Sequence, residues 1–229
     1  MTDSRIIVAL DVPTRAEAEA LVERLGDAVG FYKIGLQLLA TDGMAMARDL
    51  KGRGRQVFAD WKLHDIGATV EKAAAALAAT GACDFLTVHA EPQVLAAAVK
   101  GCAGSGVKIL GVTVLTSLSG QDLGEIGYAL SVSQLVERRI RQAIDAGAHG
   151  VIASPHEAAL ARGVAGPDFL VVTPGVRPAG ASMDDQQRAA TPADAIGAGA
   201  SHLVVGRPIT AARDPRGAAL AIAAEIADL

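Results

Sequence analysis

Residues 58–66 have the sequence Phe-Ala-Asp-Trp-Lys-Leu-His-Asp-Ile, and they place Asp60, Lys62 and Asp65 at the end of an apolar segment that is predicted to be a buried strand. Side chains alternate between the two faces of a strand, so Asp60 and Lys62 are expected on the same face. Burying an ion is costly unless it is paired. The pattern therefore indicates either a network assembled for a reaction or an ion pair that only orders the core.

Apolar runs rich in Val and Ile recur along the whole chain, with Ala-, Glu- and Arg-rich segments between them. The apolar runs predict strands at 6–10, 31–35, 57–62, 85–89, 109–115, 150–154, 169–173 and 202–206. The intervening segments predict helices at about 14–26, 41–52, 67–80, 91–102, 133–146, 155–162, 192–199 and 214–228. This many strand–helix units in 229 residues favours an α/β fold of the (β/α)8 TIM-barrel type over an open sheet. Because composition does not change along the chain, residues 1–229 are expected to form a single domain.

Composition excludes several classes of protein. The chain is 51% hydrophobic and 3% aromatic, with a formal net charge of −4, so it has no basic field to hold a nucleic acid. No apolar run reaches the length of a membrane helix. The few residues before the first predicted strand leave no room for a signal sequence, so none is expected. Cys83 and Cys102 lack CxxC spacing and are expected to be reduced thiols. We expect a cytoplasmic protein that binds neither nucleic acid nor membrane.

Two connections, 117–132 and 177–191, are longer than the others and follow the fifth and seventh predicted strands. Both are rich in Gly, Ser, Asp and Gln. In barrels of this type the active site lies at the carboxyl ends of the strands, where these connections begin. They are predicted to be mobile lids, with ordinary surface loops as the alternative.

The first three predicted strands end in ionisable residues, which are Asp11, Lys33, Asp60 and Lys62. If all four point into the mouth of the barrel, they could form an alternating neutral ring in which each charge offsets the desolvation of its neighbours. A lysine between carboxylates stays protonated at neutral pH and can donate a proton. No G-x-S-x-G sequence or Ser-His-Asp order suggests nucleophilic hydrolysis.

A second polar group follows the last two predicted strands, in Thr173-Pro-Gly175-Val-Arg177 and in Val205-Gly206-Arg207-Pro-Ile-Thr210. Barrel enzymes commonly bind phosphate at this position. The two glycines allow the backbone to approach an anion, the two arginines offer forked donors, and Gln186 could add a neutral donor. The alternative is that the arginines pair with carboxylates to close the barrel rim.

Metal and nucleotide cofactors have little support in the sequence. His64 and His89 could both face the mouth, but no third His or Cys follows at ligand spacing, so no metal site is predicted. The chain also lacks the glycine-rich fingerprints of dinucleotide and triphosphate sites.

Seven motifs in order along the chain resemble orotidine 5′-phosphate decarboxylase of the bacterial type. They are Ala9-Leu-Asp11-Val, Tyr32-Lys33-Ile-Gly35, Phe58-x-Asp60-x-Lys62-x-His64-Asp65-Ile66, Leu115-Thr116-Ser117, Thr173-Pro-Gly-x-Arg177-Pro, Asp185-Gln186 and Val205-Gly-Arg-Pro-Ile-Thr210. The resemblance implies a (β/α)8 homodimer that converts orotidine 5′-phosphate to uridine 5′-phosphate (UMP) and CO2, the last step of de novo pyrimidine synthesis. It implies no metal and no organic cofactor.

The resemblance also implies roles for individual residues. Lys62 would protonate C6 of the pyrimidine, Asp60 would lie beside the departing carboxylate, Lys33 and Asp11 would bind the ribose hydroxyls, and Thr116 would contact the pyrimidine edge. The phosphate would be bound by Gln186, Arg207, the Gly206 backbone and, nearby, Arg177. Residues that would reach into the neighbouring subunit's site are Asp65, Ile66 and Thr69, and Asp65 is therefore counted with the catalytic residues.

Two alternatives remain at this point, together with one departure from the family pattern. A relative that shares Asp-x-Lys-x-x-Asp, 3-keto-gulonate-phosphate decarboxylase, uses magnesium, but it has a carboxylate where this chain has Lys33. A non-catalytic phosphoribosyl-binding sensor is the other alternative. The family usually continues His-Asp-Ile with Pro-Asn-Thr, whereas this chain has Gly67 and Ala68 before Thr69, which puts the rigidity of this turn in question.

Overall fold

The strands of this protein pair in chain order and form a closed parallel barrel in the computed structural model, which describes residues 3–178 and 190–229. The strands are β1 (Ile6–Ala9), β2 (Phe31–Ile34), β3 (Gln56–Leu63), β4 (Phe85–His89), β5 (Lys108–Val112), β6 (Gly150–Ile152), β7 (Leu170–Pro174) and β8 (His202–Val205). Pairing of β8 with β1 completes the cylinder, with Ile7 opposite Val204. The predicted (β/α)8 barrel is confirmed.

Helices follow the strands as the sequence pattern predicts. They are α1 (Arg15–Leu25), α2 (Leu36–Leu39), α3 (Gly43–Gly52), α4 (Gly67–Ala79), α5 (Pro92–Gly101), α6 (Gly120–Ile126), α7 (Val132–Asp145), α8 (Ala158–Ala165), α9 (Pro192–Gly197), α10 (Arg207–Thr210) and α11 (Pro215–Glu225). Short 3-10 turns occupy Gly26–Ala28 and Pro155–Glu157. The short helices α2, α6 and α10 were not predicted, because each has too few residues to show a periodic apolar face. Among the described residues, no helix has both the length and the apolar character to cross a membrane.

The core has two layers, separated by the barrel wall. Inside the barrel, Phe31, Phe58 and Phe85 pack edge to face, with the Phe31 and Phe85 ring centroids 5.0 Å apart. Outside, the strands pack against the buried faces of the surrounding helices in one continuous apolar cluster. Three aromatic rings fill the barrel interior below the carboxyl ends of the strands, so a ligand cavity can open only above them.

The first predicted lid is not an irregular loop. Within 117–132 the chain forms α6, whose N-cap Ser119 accepts a hydrogen bond from the Asp122 backbone N–H while the Asp122 carboxylate accepts from the Ser119 N–H. This capping box satisfies two backbone donors and explains why a Gly- and Ser-rich sequence is helical here.

The second predicted lid, 177–191, lies largely outside the described residues, and Gln186 lies outside them as well. Its two ends are joined, because Val176 pairs with Ala190 and the Arg177 N–H donates to the Ala190 carbonyl at 2.9 Å. The chain therefore leaves the barrel rim and returns to it at the same point.

Candidate active site

A cavity of about 550 Å³ opens at the carboxyl ends of the strands. Its volume lies within the range of small-molecule sites. Its lining includes most of the polar residues that the sequence predicts for the site, which are Asp11, Lys33, Asp60, Lys62, Thr116, Arg177, Gly206 and Arg207. Residues from the first three strands and from the last two, which are far apart in sequence, thus meet around one cavity because the barrel closes.

The four charged side chains of the first three strands form a line rather than a ring. Lys33 Nζ is 2.9 Å from Asp11 Oδ1 and 3.4 Å from Asp60 Oδ2, and Lys62 Nζ donates to Asp60 Oδ1 at 2.8 Å. Within the described part of the chain, no ion pair joins Lys62 back to Asp11. The predicted alternation of charge is confirmed, but the closed ring is wrong, because Asp11 and Lys62 lie at the two ends of the line.

Lys62 is held in a backbone conformation that is rare for a side chain of its kind. Its φ is 49°, the one positive value at a non-glycine position among the described residues. The pairing of β3 with β4 shifts at the same place, since β3 advances from Ala59 to Leu63 while β4 advances only from Leu86 to Val88. This bulge places Asp60 and Lys62 on the cavity side, as predicted, but strict strand alternation is not the reason.

Asp60 is a buried carboxylate that stays ionised. Burial by itself would raise its pKa, but the ammonium groups of Lys33 and Lys62 and hydrogen bonds from Lys62 and Thr87 outweigh burial and hold the pKa below its usual value. Its side chain is 14% exposed, against 27% for Lys62. The site therefore keeps a fixed negative charge directly beside an ammonium that faces the cavity.

Two positions that support this charged line were missed by the sequence analysis. Thr87 on β4 is fully buried; its hydroxyl donates to Asp60 Oδ1 at 2.9 Å and accepts from the Lys62 backbone N–H at 3.0 Å. At Gly35, an added Cβ would lie 2.6 Å from Asp11 Oδ1, so a larger residue would displace the Asp11–Lys33 pair. The sequence signal for Thr87 is a single threonine inside an apolar strand, whereas the close approach of Asp11 to Gly35 is apparent only in the three-dimensional structure.

The wall formed by the last two strands is built for close approach of the backbone. Gly175 has a φ of 79°, a left-handed conformation that favours glycine, and it follows β7 directly. Arg177 is 8% exposed, and its guanidinium donates to the Val176 carbonyl at 3.0 Å. Arg207 begins α10 immediately after Gly206. Two guanidinium groups and a glycine backbone therefore line this side of the cavity.

Three of the predicted site residues do not line the cavity of their own barrel. Asp65 and Ile66 lie in the turn between β3 and α4, Thr69 lies in the first turn of α4, and all three are exposed. Ile66 is 69% exposed, which is high for a branched apolar side chain. An outward position is expected for residues that act in a neighbouring subunit.

The fold and the site together define a (β/α)8-barrel protein with a charged ligand site at the carboxyl ends of its strands. The model of the Orotidine 5'-phosphate decarboxylase / HUMPS family matches residues 4–222, and the chain belongs to this family.

Individual relatives match over nearly their whole length. A protein named orotidine 5'-phosphate decarboxylase from Caulobacter sp. (strain K31) is 69% identical over 227 residues, which are 99% of each chain. A protein of the same name from Rhodopseudomonas palustris (strain HaA2) is 56% identical over 97% of this chain and 94% of its own. The crystal structure of orotidine 5'-phosphate decarboxylase from Lactobacillus acidophilus superposes with a TM-score of 0.86 at 39% identity, and covers 98% of this chain and 99% of that one.

Proposed function

We propose that this protein is a carboxy-lyase that converts orotidine 5′-phosphate to UMP and CO2, the last step of pyrimidine synthesis, without a metal or organic cofactor. The observation that supports this most directly is the Lys62 ammonium, held 2.8 Å from Asp60 at the edge of the cavity. The names of relatives that are 56–69% identical support the same reaction.

In the proposed reaction, one carbon–carbon bond breaks and one carbon–hydrogen bond forms. The bond between pyrimidine C6 and the carboxylate breaks, CO2 leaves, and the electron pair remains on C6, which takes a proton from Lys62 Nζ. Asp60 lies beside the departing carboxylate, and its charge disfavours the bound substrate more than the transition state. The developing carbanion has no carbonyl to delocalise it, so a fixed ammonium is the stabilisation that the reaction requires.

The remaining residues bind the parts of the substrate that do not react. We assign the ribose hydroxyls to Lys33 and Asp11, and the pyrimidine edge to Thr116. The phosphate is assigned to Arg207, Arg177, the Gly206 backbone and Gln186. The two arginines on the cavity wall support this assignment, because forked guanidinium donors match phosphate oxygens. Binding energy from the phosphate is then available to exclude water and orient the pyrimidine.

We further propose a homodimer in which Asp65, Ile66 and Thr69 of each subunit complete the site of the other, with residues 1–229 as one catalytic domain. The support is that these three side chains are exposed and lie outside their own cavity. A two-fold axis would exchange the two turns symmetrically. The substrate and product are phosphorylated metabolites, and we propose that the enzyme acts in the cytoplasm.

The activity can be tested by following the ultraviolet absorbance of orotidine 5′-phosphate with excess chelator present. We expect the absorbance of the orotate ring to fall and UMP and CO2 to appear in equal amounts. Binding of the nucleotide without turnover would identify a sensor instead of an enzyme. Activity that returns only with added magnesium would favour the magnesium-dependent relative.

A further inference from the structure

Three side chains with metal-binding chemistry meet on the rim beside the cavity but do not line it. They are His64, which follows β3, His89, the last residue of β4, and Glu91, the N-cap residue of α5. The two imidazole rings stack with centroids 4.5 Å apart, and His64 Nε2 is 3.3 Å from Glu91 Oε2. One ligand atom from each residue lies within 4.8 Å of the others.

The carboxylate of Glu91 is incompletely satisfied by the protein. Its Oε2 atom is buried and accepts no hydrogen bond from the described residues, although His64 Nε2 is only 3.3 Å away. A buried carboxylate oxygen without a donor is costly. A cation placed between this oxygen and the two imidazoles would satisfy it.

The other oxygen of Glu91 is already fixed in place. Arg139 on α7 contacts Oε1 at 3.4 Å, donates to the Tyr128 hydroxyl at 2.8 Å and also donates to the Thr113 carbonyl. Metal-binding carboxylates are commonly oriented by such an outer partner. Two positive charges, on Arg139 and Lys62, lie near the cluster and would oppose binding of a cation. Each is paired with a carboxylate, Arg139 with Glu91 and Lys62 with Asp60.

We propose that His64, His89 and Glu91 form a binding site for a divalent transition-metal ion, best matched by Zn²⁺. Two imidazole nitrogens and one carboxylate oxygen are a ligand set that suits Zn²⁺ and leaves a fourth position for water. Magnesium fits poorly, because it prefers oxygen ligands alone. Closing the present separations to coordination distances requires rotation of the His64 side chain, which is 55% exposed in the single chain.

The ion would join the ends of two neighbouring strands next to the charged line, with His64 two residues after Lys62. It would cross-link β3 to β4 where the β3 bulge interrupts their pairing. Since none of the three ligands lines the cavity, the ion is a structural element of the rim and is not required for turnover. This site is therefore compatible with activity in the presence of chelator.

The test is titration of the chelator-treated, full-length protein with Zn²⁺ by calorimetry, and with Co²⁺ by visible absorption. We expect one ion per chain with micromolar or tighter affinity, and Co²⁺ bands of a four-coordinate site. His64→Gln and Glu91→Gln should each weaken Zn²⁺ binding by at least about tenfold, because loss of a residue that only orients a ligand already costs this much. His156→Gln is the matched control, because it removes an exposed histidine far from the cluster in sequence and should leave binding unchanged.

The thermal midpoint provides a second readout, because a ligand that binds only the folded state raises it. Zn²⁺ should raise the midpoint of the wild type and of His156→Gln more than that of His64→Gln. The proposal is overturned if the wild type binds no Zn²⁺, or if His64→Gln and Glu91→Gln bind it as tightly as the wild type. All variants retain Lys62 and Asp60, so the outcome is independent of the proposed reaction.

Discussion

At the scale of the residue, the most unusual feature is the conformation of Lys62. A positive φ at a non-glycine residue costs about 1–3 kcal/mol and persists where the surroundings enforce it. Two hydrogen bonds enforce it here. The Lys62 backbone N–H donates to the Thr87 hydroxyl, and the Lys62 ammonium donates to the Asp60 carboxylate. Strain at this residue, together with its access to the cavity, is typical of a group whose position matters for a reaction.

We expect Lys62→Ala to lower kcat by at least about 10³-fold, because it removes both the proton and the charge that the carbanion needs. The measurement is decarboxylation of orotidine 5′-phosphate by a variant whose circular dichroism matches the wild type. Lys72→Ala, at an exposed position on α4, is the control and should be fully active. Substantial turnover by folded Lys62→Ala would remove Lys62 from the mechanism.

Arg207→Ala should lower kcat/KM for orotidine 5′-phosphate. The corresponding loss of transition-state stabilisation should be at least about 1.5–3 kcal/mol, the range for a hydrogen bond to a charged group. The penalty should disappear with orotidine, which has no phosphate. Arg213→Ala, an exposed arginine shortly after α10, should change neither value. Equal losses on both substrates would mean that Arg207 is structural and that the phosphate lies elsewhere.

At the scale of the element, the start of α4 replaces the usual Pro-Asn of the family with Gly67 and Ala68. Ile66 is the N-cap residue, with φ −57° and ψ 146°, and it provides no side-chain hydrogen bond to the helix. Its carbonyl accepts from the backbone N–H groups of Thr69 and Val70, at 3.0 and 3.1 Å. Gly67 therefore occupies the first helical position, where proline is favoured and where the preceding residue already has a compatible conformation.

Gly67→Pro should raise the free energy of unfolding by about 0.4–1 kcal/mol, because it restricts the unfolded chain at a position that fits proline. An added Cβ would be at least 3.7 Å from Ala97 and Gln93, an ordinary contact distance. Urea denaturation measures the change. Gly163→Pro, in the interior of α8, is the contrasting variant and should destabilise by about 3 kcal/mol. A loss of stability in Gly67→Pro would show that this turn departs from a helix start.

At the scale of the whole molecule, the closed barrel brings the ends of strands from both halves of the chain to one cavity, while the turn after β3 faces outward. Asp65 is only three positions after Lys62 in the sequence, but because of this turn it does not line the same cavity. The Asp65 side chain is therefore placed to act in the site of a second subunit and not in that of its own barrel.

Mixing inactive Lys62→Ala with inactive Asp65→Ala should restore activity if the sites are shared. A heterodimer places both substitutions in one site and leaves the other intact. With free exchange at equal mixing, about half of the dimers are mixed, so activity should approach about a quarter of the wild type. The check is a decarboxylation assay after subunit exchange has been verified. Absence of recovery would show that Asp65 serves its own barrel.

Stability should depend on pH through His202, which lies against Phe85 inside the barrel with ring centroids 5.3 Å apart. Burial lowers the pKa of His202 to about 4, although nearby Asp3 opposes this. Because the unfolded chain takes up this proton near pH 6.5, the stability from neutral His202 is complete above that pH and decreases toward pH 4. We expect a loss of about 1–2 kcal/mol between pH 7 and pH 5, measured by urea denaturation.

His202→Gln should reduce this pH dependence, since glutamine does not titrate in this range. His156→Gln, at an exposed position, should retain it in full. If the pH dependence of His202→Gln equals that of the wild type, other groups are responsible for it.

The sequence by itself determined the barrel, because the alternation of apolar strands and helices is a local pattern that each segment shows independently. It also indicated which residues face the cavity. These residues lie in the carboxyl-terminal half of a strand or just after it, and parallel strand ends meet at one rim; they are Asp11, Lys33, Asp60, Lys62, Arg177 and Arg207. The short helix α6 was not predicted, because its 7 residues are too few to show a periodic apolar pattern.

Only the tertiary structure decided how those residues are arranged. The line of charges from Asp11 to Lys62, the bulge that gives Lys62 its positive φ, and the support from Thr87 depend on the register between β3 and β4. The approach of Glu91 to His64 and His89 depends on the same pair of strand ends. Register and side-chain contact between strands are set by packing across the whole barrel, and no local stretch of sequence encodes them.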